Sequence, residues 1–343
     1  MKKAYTAIVG NEALRERLMH DVLEGTLPHA VILEGPRGSG RHTVARLTAA
    51  ALLCHCANDP ALPLPCMTCP GCRKVLEGKS PDVIPLGCDG KATIGVESVR
   101  FLREDVHVIP NDSDHKIYII EDADRMTPQA QNALLLTLEE PPVYARFFLL
   151  CENAGILLET IRSRAPILRT ERLPREQVDC YLCEHDRRAA QMKLADPKGY
   201  EELLTAAGNG IGQALEYLDP KVFQPVRQLR ALASDFVFTA IKHPSSKTIL
   251  PLLSRFSTKR DLLRDQLSAV SDALRDLILL KKSDEAPLSF YADRTEAIEL
   301  CDGASLPTLY QLNEAVRSAI DENARNANVR LCLIKLLVSA ELI

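Results

Sequence analysis

Cysteines crowded into one short stretch are the residues of this sequence with the clearest capacity for chemistry. Five of the eleven cysteines lie between residues 54 and 72. Four thiolates at such spacings can surround one tetrahedral zinc ion, and the predicted ligands are Cys54, Cys66, Cys69 and Cys72. Cys56 is an alternative fourth ligand, and reduced thiols without a metal are the alternative to a site. Four cysteines close the coordination shell, so we expect a structural and not a catalytic zinc.

A glycine-rich turn forms a second candidate site. It reads Gly-Pro-Arg-Gly-Ser-Gly-Arg-His-Thr over residues 35–43, between a predicted strand and a predicted helix, which is the context of a P-loop. The N–H groups of such a turn point at phosphate, and the candidate positions are Gly35, Gly38, Gly40, Arg41, His42 and Thr43.

Two side chains of this turn are wrong for ATP hydrolysis. Arg41 stands where a working loop has lysine, and its planar fork is bulkier than a compact ammonium. His42 stands where magnesium needs a small hydroxyl, and the hydroxyl of Thr43 comes one position too late. We therefore interpret the turn as a vestigial or weak nucleotide site. A turn that binds no ligand and a fully active ATPase site are the alternatives.

An acidic pair follows the strand predicted over residues 117–120. Carboxylates at the end of a buried strand can hold magnesium and activate an attacking water. The usual order is Asp then Glu, whereas this chain has Glu121 followed by Asp122. A solvated acidic loop would explain the pair taken alone. Beside a damaged P-loop, the pair indicates an ATPase ancestor that has lost catalysis.

Alternating strands and helices must position these residues. Strand patterns occupy residues 30–33, 82–86, 117–120, 146–150 and 166–169, and helical patterns cover residues 11–23, 42–53, 96–106 and 127–138. Asn11 and Thr127 are the predicted N-caps of two of these helices. The alternation predicts βαβ units in a parallel sheet, whose ligands bind beyond the carboxyl ends of the strands.

Beyond residue 174 the strand patterns end and the chain becomes helical. Helical patterns cover residues 176–190, 199–207 and 211–218, and the clearest later segments are 264–280 and 309–337. We predict an α/β nucleotide-binding-type domain with a zinc-module insertion over residues 1–172. A small helical lid domain over 173–220 and an all-α C-terminal domain over 221–343 follow it.

Composition and charge exclude some classes of protein. Hydrophobic residues make up 46% and charged residues 26%, which is typical of an ordered globular chain. The net charge of −4 argues against a protein that binds nucleic acid alone, so any DNA contact should be local or shared with partners. We find no apolar run long enough for a membrane span and no secretion signal at Met1–Tyr5. We therefore expect a cytoplasmic protein.

Two further motifs complete an ordered series that begins with the P-loop, the cysteines and the acidic pair. Residues 134–142 read Leu-Leu-Leu-Thr-Leu-Glu-Glu-Pro-Pro, and residues 161–165 read Ile-Arg-Ser-Arg-Ala. This series resembles the bacterial clamp-loader ATPase family, in which the second motif is Ser-Arg-Cys. Residues 8–11, 80–83 and 326–331 are similar to further segments of the family. The resemblance covers nearly the whole chain and implies an AAA+ domain, a lid and a C-terminal collar.

The resemblance also gives Arg164 a role. In the family, the arginine of this motif is a finger that enters the neighbouring subunit's ATP site and stabilises charge on the transferred phosphoryl group. Active members carry a lid arginine at the position where this chain has Gly212. The P-loop, the acidic pair and the lid all depart from the active pattern, while Arg164 remains. That combination is typical of the non-catalytic delta-prime members and not of the gamma/tau ATPases.

The implied partners follow from the same resemblance. It implies a hetero-pentamer with gamma/tau and delta clamp-loader subunits, which acts on a sliding clamp and on primer-template DNA. ATP would be bound by the neighbouring subunit and at most weakly by this chain. Three alternatives stay open. They are an active gamma/tau-like ATPase, a nucleic-acid-binding protein that uses its zinc module, and a scaffold whose arginine has no role.

Overall fold

The chain divides into two compact units. A computed structural model describes residues 8–88, 90, 92–325 and 327–342. The first unit ends at Val178 and also includes Gly210–Gly212, and the second contains Asp179–Asn209 and the residues from Gln213 onward. The predicted division into three domains stays a prediction.

A five-stranded parallel sheet forms the centre of the first unit. Its strands are β1 (Ala30–Glu34), β2 (Val83–Leu86), β3 (Lys116–Ile120), β4 (Ala145–Cys151) and β5 (Ile167–Arg169). They lie in the order β2-β3-β4-β1-β5, and every pairing is parallel. The predicted parallel sheet is therefore confirmed, and the carboxyl ends of all five strands lie along one edge.

Both faces of the sheet are buried. Successive strand residues point to opposite sides, so each strand contributes to an apolar cluster on either face. Val31 and Leu33 of β1 pack with one apolar cluster, which also holds the cysteines of the predicted zinc module. Ala30 and Ile32 pack with a second cluster on the other side. The continuous apolar runs in the sequence are the signature of this two-sided burial.

The helices of the first unit cover the two faces. They are α1 (Glu12–Leu23), α2 (Arg41–Leu52), α3 (Pro70–Leu76), α4 (Val96–Asp105), α5 (Pro128–Glu139) and α6 (Glu159–Arg162). The predicted helix caps had different outcomes. Thr127 caps α5 as predicted, since its side chain accepts a hydrogen bond from the N–H of Ala130. The prediction that the side chain of Asn11 caps α1 was wrong. Asn11 precedes α1, but its side-chain oxygen accepts the N–H of Glu171 at 2.7 Å and makes no cap hydrogen bond.

Among the described residues from 175 onward, every regular secondary-structure element is a helix. These are α7 (Arg175–His185), α8 (Arg187–Ala195), α9 (Pro197–Ala206), α10 (Ile211–Tyr217), α11 (Pro220–Lys242), α12 (Ser246–Leu253), α13 (Arg260–Leu280), α14 (Arg294–Asp302), α15 (Leu306–Ala324) and α16 (Val329–Ser339). The helix predicted over residues 176–190 is two helices, because Asp186 leaves helical geometry and caps α8. The segment 309–337 likewise divides into α15 and α16. Asn326, part of the predicted last family segment, lies outside the described residues.

A separate apolar core holds the second unit together. Helices α11, α13, α15 and α16 supply most of its side chains, and Leu274, Leu277, Leu309 and Leu337 are fully buried there. Among the described residues, no helix combines the length and the apolar character that a membrane crossing requires.

Candidate functional site

The predicted P-loop and acidic pair lie along the same edge of the sheet. The glycine-rich turn follows β1, Glu121 follows β3, and Glu152 follows β4. Since these strands are parallel and β4 lies between β1 and β3, the three strand ends are close in space. This is where a parallel α/β sheet binds its ligand.

The backbone of the turn has the shape of a phosphate cradle. Gly38 and Gly40 have positive φ angles of 80° and 89°, which glycine adopts without steric cost. Gly40 directly precedes α2, so the first N–H groups of that helix face the turn. The predicted strand–turn–helix geometry is therefore present.

The side chain of Arg41 is turned into the protein. It is only 5% exposed, and its Nη2 lies 3.9 Å from Oε1 of Glu152. Its Nη1 is buried and has no hydrogen-bond partner among the described residues. A guanidinium held beside a carboxylate has part of its charge compensated. Within the described part of the chain, one donor of this guanidinium therefore stays unpaired inside the protein.

His42 contacts the acidic pair. Its Nδ1 lies 3.4 Å from Oε1 of Glu121, and the hydrogen bond from His42 lowers the pKa of the Glu121 carboxyl below its ordinary value. Thr43 is exposed on the next position of the helix. Asp122 has a left-handed backbone with φ 50° and begins a short 3₁₀ turn. His42 thus contacts the carboxylate of Glu121 that a magnesium ion would otherwise bind.

The turn is packed tightly against two neighbouring segments. The hydroxyl oxygens of Ser39 and Thr170 lie 2.7 Å apart. A Cβ on Gly35 would approach Oγ1 of Thr170 to 2.0 Å. Gly210 approaches from the end of the predicted lid, where a Cβ would lie 2.9 Å from the Cα of Gly38. Gly212, at the predicted lid-arginine position, has open space around its Cβ position.

Arg164 lies just after α6 and is held by its own chain. Its Nη2 donates to Oε1 of Glu139 at 2.8 Å, and its Nη1 donates to the carbonyl of Thr160 at 2.9 Å. A longer contact of 3.4 Å joins Nη1 to the hydroxyl of Ser163. The side chain remains 35% exposed, so the guanidinium can be reached from outside.

Four of the five clustered cysteines converge on one point. The sulfur atoms of Cys54, Cys66, Cys69 and Cys72 all lie within 4.8 Å of one another, and all four residues are buried. The sulfurs of Cys66 and Cys72 are 3.9 Å apart. Ligands at the usual zinc–sulfur distance of about 2.3 Å would lie about 3.8 Å apart around a tetrahedral ion. The arrangement therefore fits such an ion, and Cys56 is half-buried outside the group.

Hydrogen bonds to sulfur favour the thiolate form of Cys66, whereas burial raises the pKa of the Cys54 and Cys72 thiols. The backbone N–H of Cys69 donates to the sulfur of Cys66 at 3.3 Å, and that of Cys72 donates to the sulfur of Cys69 at 3.4 Å. Burial raises the pKa of the Cys66 thiol, but hydrogen bonds from Cys69 and Thr68 outweigh it and lower the pKa to about 6. Thiolates are the form that binds a metal.

Comparison with known proteins relates this chain to one family. A family model described as "DNA polymerase III, delta subunit" matches residues 10–174, which include the whole sheet. The DNA polymerase III subunit tau of Bacillus subtilis is 30% identical over 217 residues, which are 63% of this chain and 37% of that protein. The family model and these relatives support the clamp-loader family of AAA+ proteins. The tau subunit of Escherichia coli is 30% identical over 220 residues, or 64% of this chain and 33% of that protein.

The match to these clamp-loader relatives is partial in length. The aligned part spans 37% and 33% of the two tau subunits. Among solved structures, the match to the DNA polymerase III gamma subunit-related protein of Thermotoga maritima spans 95% of this chain and 98% of that protein. Its TM-score is 0.46 and its sequence identity is 19%.

Two features of the candidate site were not predicted from the sequence. Glu139 belongs to the leucine-rich motif and Arg164 to the Ser-Arg motif, but their contact was not predicted. The packing of Gly210 on the P-loop was not predicted either. Both depend on contacts between segments far apart in the chain. The available signal for the contact between Glu139 and Arg164 was their opposite charge, since one motif carries an acidic residue and the other a basic one.

Proposed function

We propose that this chain is a non-catalytic, delta-prime-type subunit of the DNA polymerase III clamp loader. It would assemble with gamma/tau and delta subunits into a hetero-pentamer in the cytoplasm. The assembly would load a sliding clamp on primer-template DNA during replication. Within it, Arg164 would complete the ATP site of the adjacent gamma/tau subunit.

The buried position of Arg41 is the observation that carries the proposal. In a working P-loop the residue at this position must extend to the terminal phosphates of ATP. The guanidinium of Arg41 is instead 5% exposed and lies beside Glu152. The close approach of Gly210 to Gly38 also limits the room above the turn. Both contacts favour weak nucleotide binding at most.

The contact between His42 and Glu121 supports the same conclusion about magnesium. A P-loop ATPase uses a hydroxyl and an acidic strand end to hold the ion. In this chain the first position offers an imidazole, which is a poor ligand for a hard ion. The carboxylate of Glu121 is engaged by that imidazole at 3.4 Å. The groups that would hold magnesium are therefore directed at each other.

The exposure of Arg164 supports a role in trans. A finger stabilises the charge that develops on the transferred phosphoryl group, and such a group is worth on the order of 10³–10⁵ in rate. A 35% exposed guanidinium at the end of α6 can be presented to another subunit.

The convergent cysteines support a structural zinc ion. Cys54, Cys66, Cys69 and Cys72 would supply all four ligands and leave no open position for a substrate. The ion would fix the loop between α2 and α3, because Cys72 lies in α3 and Cys54 lies two residues beyond the end of α2.

An active gamma/tau-like ATPase is the second candidate. The names of the relatives favour it, since the tau subunits of Bacillus subtilis and Escherichia coli are each 30% identical to this chain. It requires Arg41 and Asp122 to replace the usual lysine and glutamate.

ATP hydrolysis by the purified full-length chain separates the two candidates. We expect no turnover above the buffer background, with or without magnesium and primed DNA. The gamma/tau-type subunit from the same organism, measured in parallel, serves as the active control. Steady turnover by the lone chain that is lost in Arg41→Ala would contradict the proposed function.

A further inference from the structure

The ion pair between Glu139 and Arg164 joins two motifs that the proposed function treats separately. Glu139 is the last residue of α5, and Arg164 lies two residues after the end of α6. Twenty-five positions separate them in the chain. Their side chains meet at 2.8 Å between Oε1 and Nη2. Nothing in the local sequence around either residue forces this contact.

The contact fixes the guanidinium from two sides. Nη2 is held by the carboxylate of Glu139, and Nη1 is held by the main-chain carbonyl of Thr160 at 2.9 Å. An arginine side chain has many rotamers and loses much conformational freedom when it is ordered. With anchors on α5 and α6, much of that freedom is already lost before any ligand arrives.

The remaining donors of Arg164 suit a phosphate. A guanidinium has five N–H donors in a planar fork, and phosphate oxygens accept two of them side by side. Within the described residues, the hydrogen bonds of Arg164 use Nη1 and Nη2. The Nε edge and the second proton of Nη2 therefore stay available while both anchors are kept.

From this geometry we infer that Glu139 is a positioning residue for Arg164. It holds the guanidinium in the orientation that the neighbouring subunit's ATP site requires. The inference rests on the proposed function, because it concerns the finger that this function assigns. Preorganisation of a charged group raises the rate since less reorganisation is needed at the moment of reaction.

The exposure of the pair argues against a mainly structural role. The side chains of Arg164 and Glu139 are 35% and 44% exposed, and ion pairs of this kind add little to folding stability. Replacing Glu139 should therefore change the orientation of the finger without unfolding the chain. Glu140, the next residue, is also exposed and provides a matched control for the loss of one carboxylate.

The test is a double-mutant cycle in the reconstituted loader. The gamma/tau-type subunits carry alanine at their own Ser-Arg-Cys arginines, so that turnover depends on Arg164. The full-length chain is supplied as wild type, Glu139→Gln, Arg164→Ala, the double variant or Glu140→Gln. We expect Glu139→Gln to lower kcat about two- to fivefold, the factor that a half-exposed ion pair is worth. KM for ATP, the thermal midpoint and complex assembly should stay unchanged.

The cycle also separates the possible failures. The double variant should be no slower than Arg164→Ala, because Glu139 acts through the arginine. Wild-type turnover in Glu139→Gln with low turnover in Arg164→Ala would overturn the positioning role alone. Faster turnover in Glu139→Gln would overturn it too, by showing a restraint. An equal loss in Glu140→Gln would show a general charge effect and also overturn it. Unchanged turnover in Arg164→Ala would overturn both this inference and the proposed finger.

Discussion

At the scale of single residues, Asp82 shows how one buried carboxylate can order a loop beside the sheet. It is fully buried directly before β2, where it accepts the N–H groups of Asn111 and Asp112 at 2.6 and 2.8 Å. The hydroxyl of Ser113 donates to it at 3.0 Å. Burial raises the pKa of Asp82, but these hydrogen bonds outweigh it and hold the pKa below the ordinary 3.8.

Replacing this carboxylate should destabilise the first unit. We expect Asp82→Ala to lower the free energy of unfolding by about 3 kcal/mol, because it leaves buried donors without an acceptor. Because the folded pKa is the lower one, the contribution is complete above pH 3.8 and is lost as the pH falls through the folded value. Chemical denaturation at pH 7 and at lower pH measures both effects.

The exposed Asp114 provides the control for this measurement. Asp114→Ala removes a carboxylate from the same segment and should change stability little. Equal stabilities of Asp82→Ala and wild type at pH 7 would show that the hydrogen bonds of Asp82 do not stabilise the fold.

Single residues also mark the limit of sequence reasoning. Cys54 was preferred to Cys56 as a ligand because the end of a helix predicts a fixed position. The sulfur of Cys54 lies in the convergent group. The burial of Arg41 was not predicted. Its partner Glu152 lies over a hundred positions away and reaches Arg41 only because β4 pairs with β1.

At the scale of elements, the zinc module is the feature with the most direct chemical test. Its four convergent cysteines lie just beyond the end of α2, in a loop and at the start of α3. Structural zinc sites contribute folding free energy, because the metal binds the folded ligands and not the dispersed thiols.

Cys54→Ser should therefore lower the bound zinc from one ion per chain toward zero and reduce the thermal midpoint. Cys56→Ser should keep the ion, since Cys56 lies outside the convergent group. Elemental analysis of the purified variants, with a chelator titration of the wild type, measures this. Loss of zinc in Cys56→Ser with retention in Cys54→Ser would reverse the ligand assignment.

The elements themselves were well predicted where local signals are strong. All five strands were found because apolar runs with sharp boundaries mark a buried parallel strand. Thr127 followed by Pro128 gave the start of α5 correctly. Asn11 failed as a cap because its side chain is used by Glu171, a long-range contact that no local pattern contains. The break at Asp186 was missed because helical spacing continues across it.

At the scale of the whole molecule, the order of motifs carries more information than any one of them. The matched family region, residues 10–174, contains the P-loop, the cysteines, the acidic pair and Arg164. The helical second unit has its own core. Its helices were predictable from periodicity, but their packing was not, because many helix pairs satisfy the same apolar pattern. The net charge of −4 agrees with the proposal that this chain contacts DNA only within an assembly.

The central claim is that this chain lends Arg164 to a neighbour and does not hydrolyse ATP itself. The most direct measurement is steady-state ATP turnover of the reconstituted loader whose gamma/tau-type subunits carry alanine at their own Ser-Arg-Cys arginines, with wild-type chain and with Arg164→Ala. The exposed Arg172→Ala is the matched control. We predict a loss on the order of 10³-fold for Arg164→Ala, with assembly intact and Arg172→Ala unaffected. Full turnover with Arg164→Ala in an intact complex would contradict the account.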